Sequence, residues 1–532
     1  MKVLLLGGYG VFGERLARLL VRDGHTVTIA GRDLRAAKRL AAELDCAAVQ
    51  MDRKGNLTEL AGHQVVIDAA GPFHSYGDER YRLAQAAITA QMHYLDLSDD
   101  AGFCAGIAEL DAAARTAGIC VLSGLSTVPA LSSAAVRALA ANDAPIMIDT
   151  AILPGNRSPR GLSVIHSILT QAGSPMQVWR GGSWLTTTGW SDPADYKLPD
   201  GTIRQGWQIS VPDIVLFPGY FKAGTVLFRA GLELAVMRYG LAFFAALRRV
   251  FPFRVTGPIA HAVKYAAELL APFGSGTGGM SVMVISGGEK RYWRLLVEDG
   301  NGPFIPAIAA RALLRRDILP VGAGPALCAI TLEEAEAAMS DLNVSIERVS
   351  ETFEPIFAKV LGSGFATLPQ IIRNTHMTAD TAYWNGHASV ERGTSLWSRL
   401  IARIFSFPKA SDQTTIEVTK RVIASGEIWI RCFGKYRFTS KLTPTRKGMT
   451  ERFGPFTFLL GLEVSDQALH YPVLSGRLGP LPLPRWLLPV SEAKEYVRDG
   501  RFHFDVKLSA PITGDLLVHY RGTLEPGHSR TR

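Results

Sequence analysis

Apolar residues in the first 130 positions alternate between two patterns. Short solid runs occur at 2–6, 26–30, 47–51, 64–69, 92–97 and 119–122. Between them, at 14–21, 34–44, 81–90 and 103–117, apolar or alanine positions recur every three or four residues. Solid runs of four to six fit strands buried on both faces, and the three-to-four spacing fits helices packed on those faces. Strand and helix therefore alternate, which predicts a doubly wound parallel sheet of Rossmann type over residues 1–130.

The rhythm changes twice further on. Over 131–345, strand-like runs (146–152, 181–188, 280–285) mix with helical stretches and many Gly and Pro, predicting a mixed α+β domain. Residues 226–250, VLFRAGLELAVMRYGLAFFAALRRV, are the most apolar stretch, yet Arg229, Glu233 and Arg238 interrupt it. A spanning helix needs about 18 uncharged residues, so the expectation is one helix, buried in the core or lying at a membrane surface. From 350 to 532 the dominant period is two, as in Tyr436-Arg437-Phe438-Thr439 and Phe502-His503-Phe504-Asp505. Strands are predicted at 416–423, 427–433, 436–442, 502–508 and 516–524, forming a mainly antiparallel barrel or strongly curved sheet. Trp384, Trp397, Trp429 and Trp486 are expected to fill it.

Between the first strand and the first helix stands Gly7-Gly8-Tyr9-Gly10-Val11-Phe12-Gly13. Gly8, Gly10 and Gly13 form G-x-G-x-x-G in the strand–turn–helix context that makes this pattern a dinucleotide fingerprint. The glycines allow a tight turn, backbone approach to a pyrophosphate and close helix packing, and the helix N-terminus presents N–H groups to the phosphates. The loop residues Gly8, Tyr9, Gly10, Val11, Phe12 and Gly13 are accordingly assigned to the cofactor. At the tip of the second strand, 19 positions past Gly13, Arg32 occupies the place where an acid would hold a ribose. An arginine suits a 2′-phosphate, so NADP is expected. The neighbouring Asp33 leaves a ribose hydroxyl as the alternative. Asp52 follows the third strand, where it either meets the adenine edge or closes a turn. Ligands of such sheets bind beyond the strand C-termini, which puts Ala70, Gly71, Pro72, Tyr94, Asp96 and Ser123 on one rim. Asp96 and Tyr94 are candidates to exchange a proton or orient a substrate; alternatively Tyr94 packs and Asp96 caps.

Composition narrows the remaining classes. With 532 residues, 47% hydrophobic and 20% charged, the chain can bury more than one core. Residues 351–532 hold 24 Lys and Arg against 16 acids, and residues 1–350 hold 33 against 32, so the net charge of +9 is concentrated at the C-terminal end. That excess suits an anionic lipid surface or is simply a solvated basic face. No basic run is interleaved with aromatics, so a nucleic-acid partner is not expected. The five cysteines are scattered without a C-x-x-C pair, which fits free thiols in the cytoplasm. The five-residue N-terminal apolar run is too short for a secretory signal. No zinc-ligand spacing is present among the histidines, so no metal site is expected.

Taken together, GGYGVFG with AGRD, VVIDAAGPF, HYLDLSDD and SGLSTVPALSS resemble the saccharopine dehydrogenase-like NADP-binding family. GTGGMSVMVISG, WRLLVEDGNGPFIPAIAA and VGAGPALCAITLEEAE resemble its second domain, so the likeness covers about residues 1–340. It implies an NADP-dependent oxidoreductase with a substrate and dimerisation domain at 131–345, and hence a homodimer. Amino-acid-acting members carry Asp-Pro-Gly after the sixth strand, where this chain reads Ser126-Thr127-Val128-Pro129, so the resemblance carries fold and cofactor and leaves the small-molecule substrate unidentified. Residues 350–532 resemble a bacterial domain of unknown function found behind such dehydrogenases. A second reading is a non-catalytic dinucleotide-binding protein peripheral to a lipid surface, touching it through 226–250 or the basic C-terminal domain.

Overall fold

The computed structural model describes residues 1–159 and 161–529. They form two compact units, one of residues 1–178 and 186–351, the other running from Thr352 onward and including Trp179–Leu185.

The first unit opens with β1 (Lys2–Leu6), α1 (Val11–Arg22), β2 (Thr26–Gly31), α2 (Leu34–Leu44), β3 (Ala47–Gln50), β4 (Val65–Asp68), α3 (Arg82–Thr89) and β5 (His93–Asp96). The expected helix over 103–117 is divided into α4 (Ala101–Gly106), a 3-10 turn (Ile107–Leu110) and α5 (Asp111–Ala117), before β6 (Cys120–Ser123). Asp100 starts α4 early by accepting from the Phe103 N–H at 2.7 Å. Gly106 ends it where a Cβ would collide with the Tyr81 hydroxyl. The strands lie in the order β6-β5-β4-β1-β2-β3, all parallel. The chain passes from β3 at one edge back to β4 beside β1, so a crevice opens beyond the C-terminal ends of β1, β2 and β4.

A seventh strand, Gly322–Pro325, joins the free edge of β6 in parallel register. Its sequence, Gly-Ala-Gly-Pro, reads as a turn. Pairing with Cys120–Ser123 makes it a strand, and Asp111 accepts the Ala323 N–H at 2.7 Å. Buried edge pairing here overrides a poor local propensity.

The second sheet has nine strands and is mixed. Its centre is Thr225–Gly231 parallel to Met147–Leu153, which is antiparallel to Gly278–Ser286; Val344–Thr352 is its edge. This corrects the single helix expected over 226–250. Residues Thr225–Gly231 are a strand with six of seven positions buried, and only Ala235–Val250 is helical. Six β-prone or apolar residues between two strands gain more by pairing than by helix formation. The helix is not core either, since Ala245 is its one buried residue. No helix among the described residues is long and apolar enough to cross a membrane.

The second unit is built on a curled sheet of thirteen antiparallel strands. Five of its members, Leu516–Pro526, Thr381–Arg392, Ser411–Ile423, Gly426–Phe433 and Tyr436–Thr445, are neighbours in that order. Trp384 and Trp429 point into its core. Trp397 and Trp486, expected there too, are exposed, because they sit on a short helix and a 3-10 turn outside the sheet.

Candidate functional site: a glycine-floored cleft

The cleft at the C-terminal ends of β1, β2 and β4 encloses about 370 Å³. Gly7 ends β1 with φ +75°, and a Cβ there would overlap the backbone of Ala70. The loop then closes through Gly10 N–H to Gly7 O at 2.9 Å. Gly10 is the N-cap of α1 and brings no side chain to cap it, so the first-turn N–H groups are left for a ligand. A Cβ on Gly13 would overlap the Gly7 carbonyl oxygen, and one on Gly8 would press on Leu5 and Ile29. Gly8 and Gly13 therefore shape the loop from below, while Tyr9 and Gly10 face the cleft. Val11 and Phe12 are half-buried on the first turn of α1, outside the cleft lining, and contribute backbone only.

The Tyr9 ring lies against Gly31, where a Cβ would strike it, and its hydroxyl accepts the Asp33 N–H at 3.0 Å. Tyr9 thereby pins the glycine loop to the β2 tip. Arg32 lines the cleft with its side chain exposed. Asp33 turns away: its carboxylate caps α2, accepting from Arg35 N at 2.9 Å and Ala36 N at 3.1 Å. Asp52 lines the cleft and accepts the Lys54 N–H at 3.0 Å, which fixes the turn after β3. Ala70, Gly71 and Pro72 form the opposite wall.

Two cations of the site were missed in the sequence. Arg53 lies 3.4 Å above the Tyr76 ring and donates to the Tyr76 carbonyl at 3.1 Å. Lys54 stands beside it, and Arg82 holds this loop by donating to the Gly55 carbonyl at 3.0 Å. The only signal was the dipeptide itself after the third strand, since Tyr76 and Arg82 reach it from across the fold.

Asp96 and Tyr94 are not on the rim. Tyr94 is 1% exposed and packs among Leu4, Val66 and Phe103, because its place in β5 turns the ring inward. Burial, with the Asp96 and Asp68 charges, raises its phenol well above the ordinary value. Asp96 is fully buried, its Oδ1 accepting from Ser98 N at 2.9 Å, Ser123 Oγ at 2.9 Å and Gly124 N at 2.8 Å. Ser123 is fully buried as well, so it also leaves the rim. The register partner of Asp96 in β4, Asp68, is also fully buried and accepts from Ala70 N at 2.9 Å and from the Tyr76 hydroxyl. Burial pushes Asp68 to about 6, and burial with the Asp68 charge pushes Asp96 to about 7, against their hydrogen bonds. The pair lies under the cleft and holds the loops after β4, β5 and β6 in place.

Residues 3–122 match the family described as Saccharopine dehydrogenase NADP binding domain, and residues 368–524 match Domain of unknown function (DUF4166). No curated protein matches the chain. Among solved structures, saccharopine dehydrogenase (L-Glu forming) from Saccharomyces cerevisiae is similar at 15% identity, covering 66% of this chain and 100% of its own, with a TM-score of 0.44. A Gfo/Idh/MocA family oxidoreductase from Vibrio cholerae is similar at 11% identity over 56% of this chain and 79% of its own, with a TM-score of 0.25. An imine reductase from Bacillus cereus is similar at 19% identity over 23% and 39%, with a TM-score of 0.18. One chain thus carries a match to a saccharopine dehydrogenase-type NADP-binding domain at 3–122, where the glycine-floored cleft lies, and a match to a domain of unknown function at 368–524.

Proposed function

We propose that the chain is an NADP-dependent oxidoreductase acting on a small or lipid-like substrate. The observation that carries the reading is the charge around the glycine loop. Arg32, Arg53 and Lys54 all line the cleft, while Asp33, the acid that could take a ribose hydroxyl, is engaged as the cap of α2. Three cations suit a ligand with a pyrophosphate and a further 2′-phosphate better than one with a free ribose. In this reading Gly10 and the N-terminus of α1 hold the pyrophosphate, Arg32 holds the 2′-phosphate, and Ala70, Gly71 and Pro72 form the wall along which the dinucleotide runs. The nicotinamide supplies or accepts the hydride when bound; the protein orients it and excludes water. The free state of all five cysteines fits the cytoplasm.

Titrating NADPH and NADH by fluorescence tests the reading. Wild type should prefer NADPH, and Arg32→Ala should weaken NADPH at least tenfold, about 1.4 kcal/mol, with NADH little changed. Equal loss for both dinucleotides overturns the 2′-phosphate assignment.

A second reading, attachment to a lipid surface, is favoured by one observation. On Ala235–Val250, Val236, Tyr239 and Phe243 are exposed, the last at 72%, with Arg249 nearby. An apolar helical face flanked by arginine suits the interface of an anionic bilayer. Wild type should float with vesicles containing phosphatidylglycerol, and Phe243→Glu should abolish flotation. Flotation that survives the substitution rules this face out.

A further inference from the structure

The curled sheet of the second unit surrounds a cavity of about 440 Å³. Its walls are aromatic and aliphatic, among them Ile416, Val418, Phe433, Phe438, Phe502 and Phe504. Folded interiors hold few voids larger than a water molecule, so a space of this size reads as a ligand chamber. An apolar cavity of about 150 Å³ accepts benzene. On that scale this one takes an occupant of roughly 15–20 non-hydrogen atoms, and its volume lies in the range of about 300–1,000 Å³ usual for small-molecule sites.

The polar groups inside restrict the chemistry of the occupant. The period-two strands place Lys420 and Arg431 on the inward face with Val418 and Phe433, where each is already answered. Arg431 donates to Ser440 Oγ at 2.8 Å and to Glu451 Oε1 at 3.1 Å. Lys420 donates to the Thr375 carbonyl at 2.6 Å and lies 4.1 Å from the Trp429 ring centroid. Glu495 is bound at 2.6 Å by His376, whose ring burial keeps neutral. Two lining cations thus face two lining carboxylates, a third carboxylate, the buried Glu427, lies outside the lining and is bound by Trp429 Nε1 at 2.6 Å, and Lys494, at the cavity margin, is exposed to solvent. A charged head group would unbalance this set at the full cost of its own desolvation. Two donors of the lining have no hydrogen-bond partner among the described residues, the Tyr471 hydroxyl, which lies against the Glu495 carboxylate, and the indole N–H of Trp384, which is 8% exposed and has no such neighbour. Indole is a donor only, so it is matched by an oxygen that accepts.

The way in is apolar too. Trp397, Ile401 and Ile404 of the helix Leu396–Ile404 line the cavity, while Leu396 on the same helix is 83% exposed. An uncharged molecule can enter along this apolar side of the rim, away from Lys494.

We propose that this cavity is a binding site for an uncharged, largely apolar molecule bearing one acceptor oxygen, of the class of long-chain alcohols, ketones or aldehydes, with Trp384 as the group that recognises the oxygen. The inference is independent of the cofactor reading, since every residue it uses lies in the second unit.

The test is made on the full chain with the neutral probe N-phenyl-1-naphthylamine. Its fluorescence should rise saturably with one site per chain, and 1-hexadecanol should displace it at least tenfold more effectively than palmitate at pH 7.5. Val418→Trp, which fills the chamber, should cut probe affinity at least tenfold. Trp384→Phe should keep probe binding within twofold and weaken displacement by hexadecanol at least fivefold. Arg32→Ala should leave all of this unchanged. Absence of saturable binding to wild type overturns the site, as does unchanged binding to Val418→Trp with a native near-ultraviolet spectrum. Palmitate matching hexadecanol overturns the ligand class, and Trp384→Phe displaced as readily as wild type overturns the role of the indole. Should Val418→Trp fail to fold, Ile416→Phe takes its place with the same expectation.

Discussion

At the scale of single residues, the carboxyl of Asp96 is the most informative group of the first unit. It is fully buried, three donors converge on one oxygen, and the other oxygen has no hydrogen-bond partner among the described residues. Burial raises it to about 7, with Asp68 beside it at about 6. A carboxyl raised above its unfolded value of about 3.9 binds its proton more tightly in the folded chain. Its contribution to stability is fully present below pH 4 and is lost as pH rises through 7. Asp96→Asn keeps an oxygen for the three donors and removes the titration. Between pH 5 and pH 8 the melting temperature of wild type should therefore fall further than that of Asp96→Asn, the free-energy difference between them changing by about 3 kcal/mol. Parallel curves for the two proteins would show that Asp96 does not titrate in this window. The residue scale also explains why Tyr94 and Asp96 looked like rim residues: both stand at the C-terminal end of a strand, but the loops after β4, β5 and β6 fold over them.

Among the elements, α2 separates two roles that share one dipeptide. Arg32 stands free at the end of β2, and Asp33 starts the helix by capping it. Replacing an aspartate N-cap by alanine costs about 1 kcal/mol, so Asp33→Ala should lower stability by that amount in urea while NADH affinity stays within twofold. A tenfold loss of NADH affinity would return Asp33 to the ribose. The same scale shows where periodicity fails. Residues 226–250 read as one apolar stretch, but short apolar runs do not distinguish a buried strand from a helix. The neighbour Met147–Leu153, 78 positions upstream, made the first part a strand.

For the whole molecule, the architecture depends on long-range closure. Arg311, 1% exposed, donates to Asp23 at 2.7–2.8 Å and to Asp341 at 2.6–2.9 Å, tying the end of α1 to the helix Ile305–Leu314 and to the turn at Asp341. The edge strand Val344–Thr352 still belongs to the second sheet. We expect a fragment of residues 1–352 to fold and bind dinucleotide without the remainder, because it keeps every strand of the first sheet and this edge. Expression of that fragment with an NADPH titration decides the point. Aggregation of the fragment beside an intact full chain would show that the first unit needs the second.

The sequence by itself determined the alternation of β1 to β6 with their helices, the glycine loop, Arg32 at the β2 tip and the period-two strands after 400. Each is set by contacts within a few residues: side-chain periodicity, the missing Cβ of a glycine, a cap two or three positions away. Tertiary structure decided the seventh strand at Gly322–Pro325, the Arg53–Tyr76 stack, the buried pair Asp68 and Asp96, and the meeting of His376 with Glu495 across 119 positions. None of these has a local pattern, because each exists only where burial and register bring together segments whose own preferences are neutral or opposed.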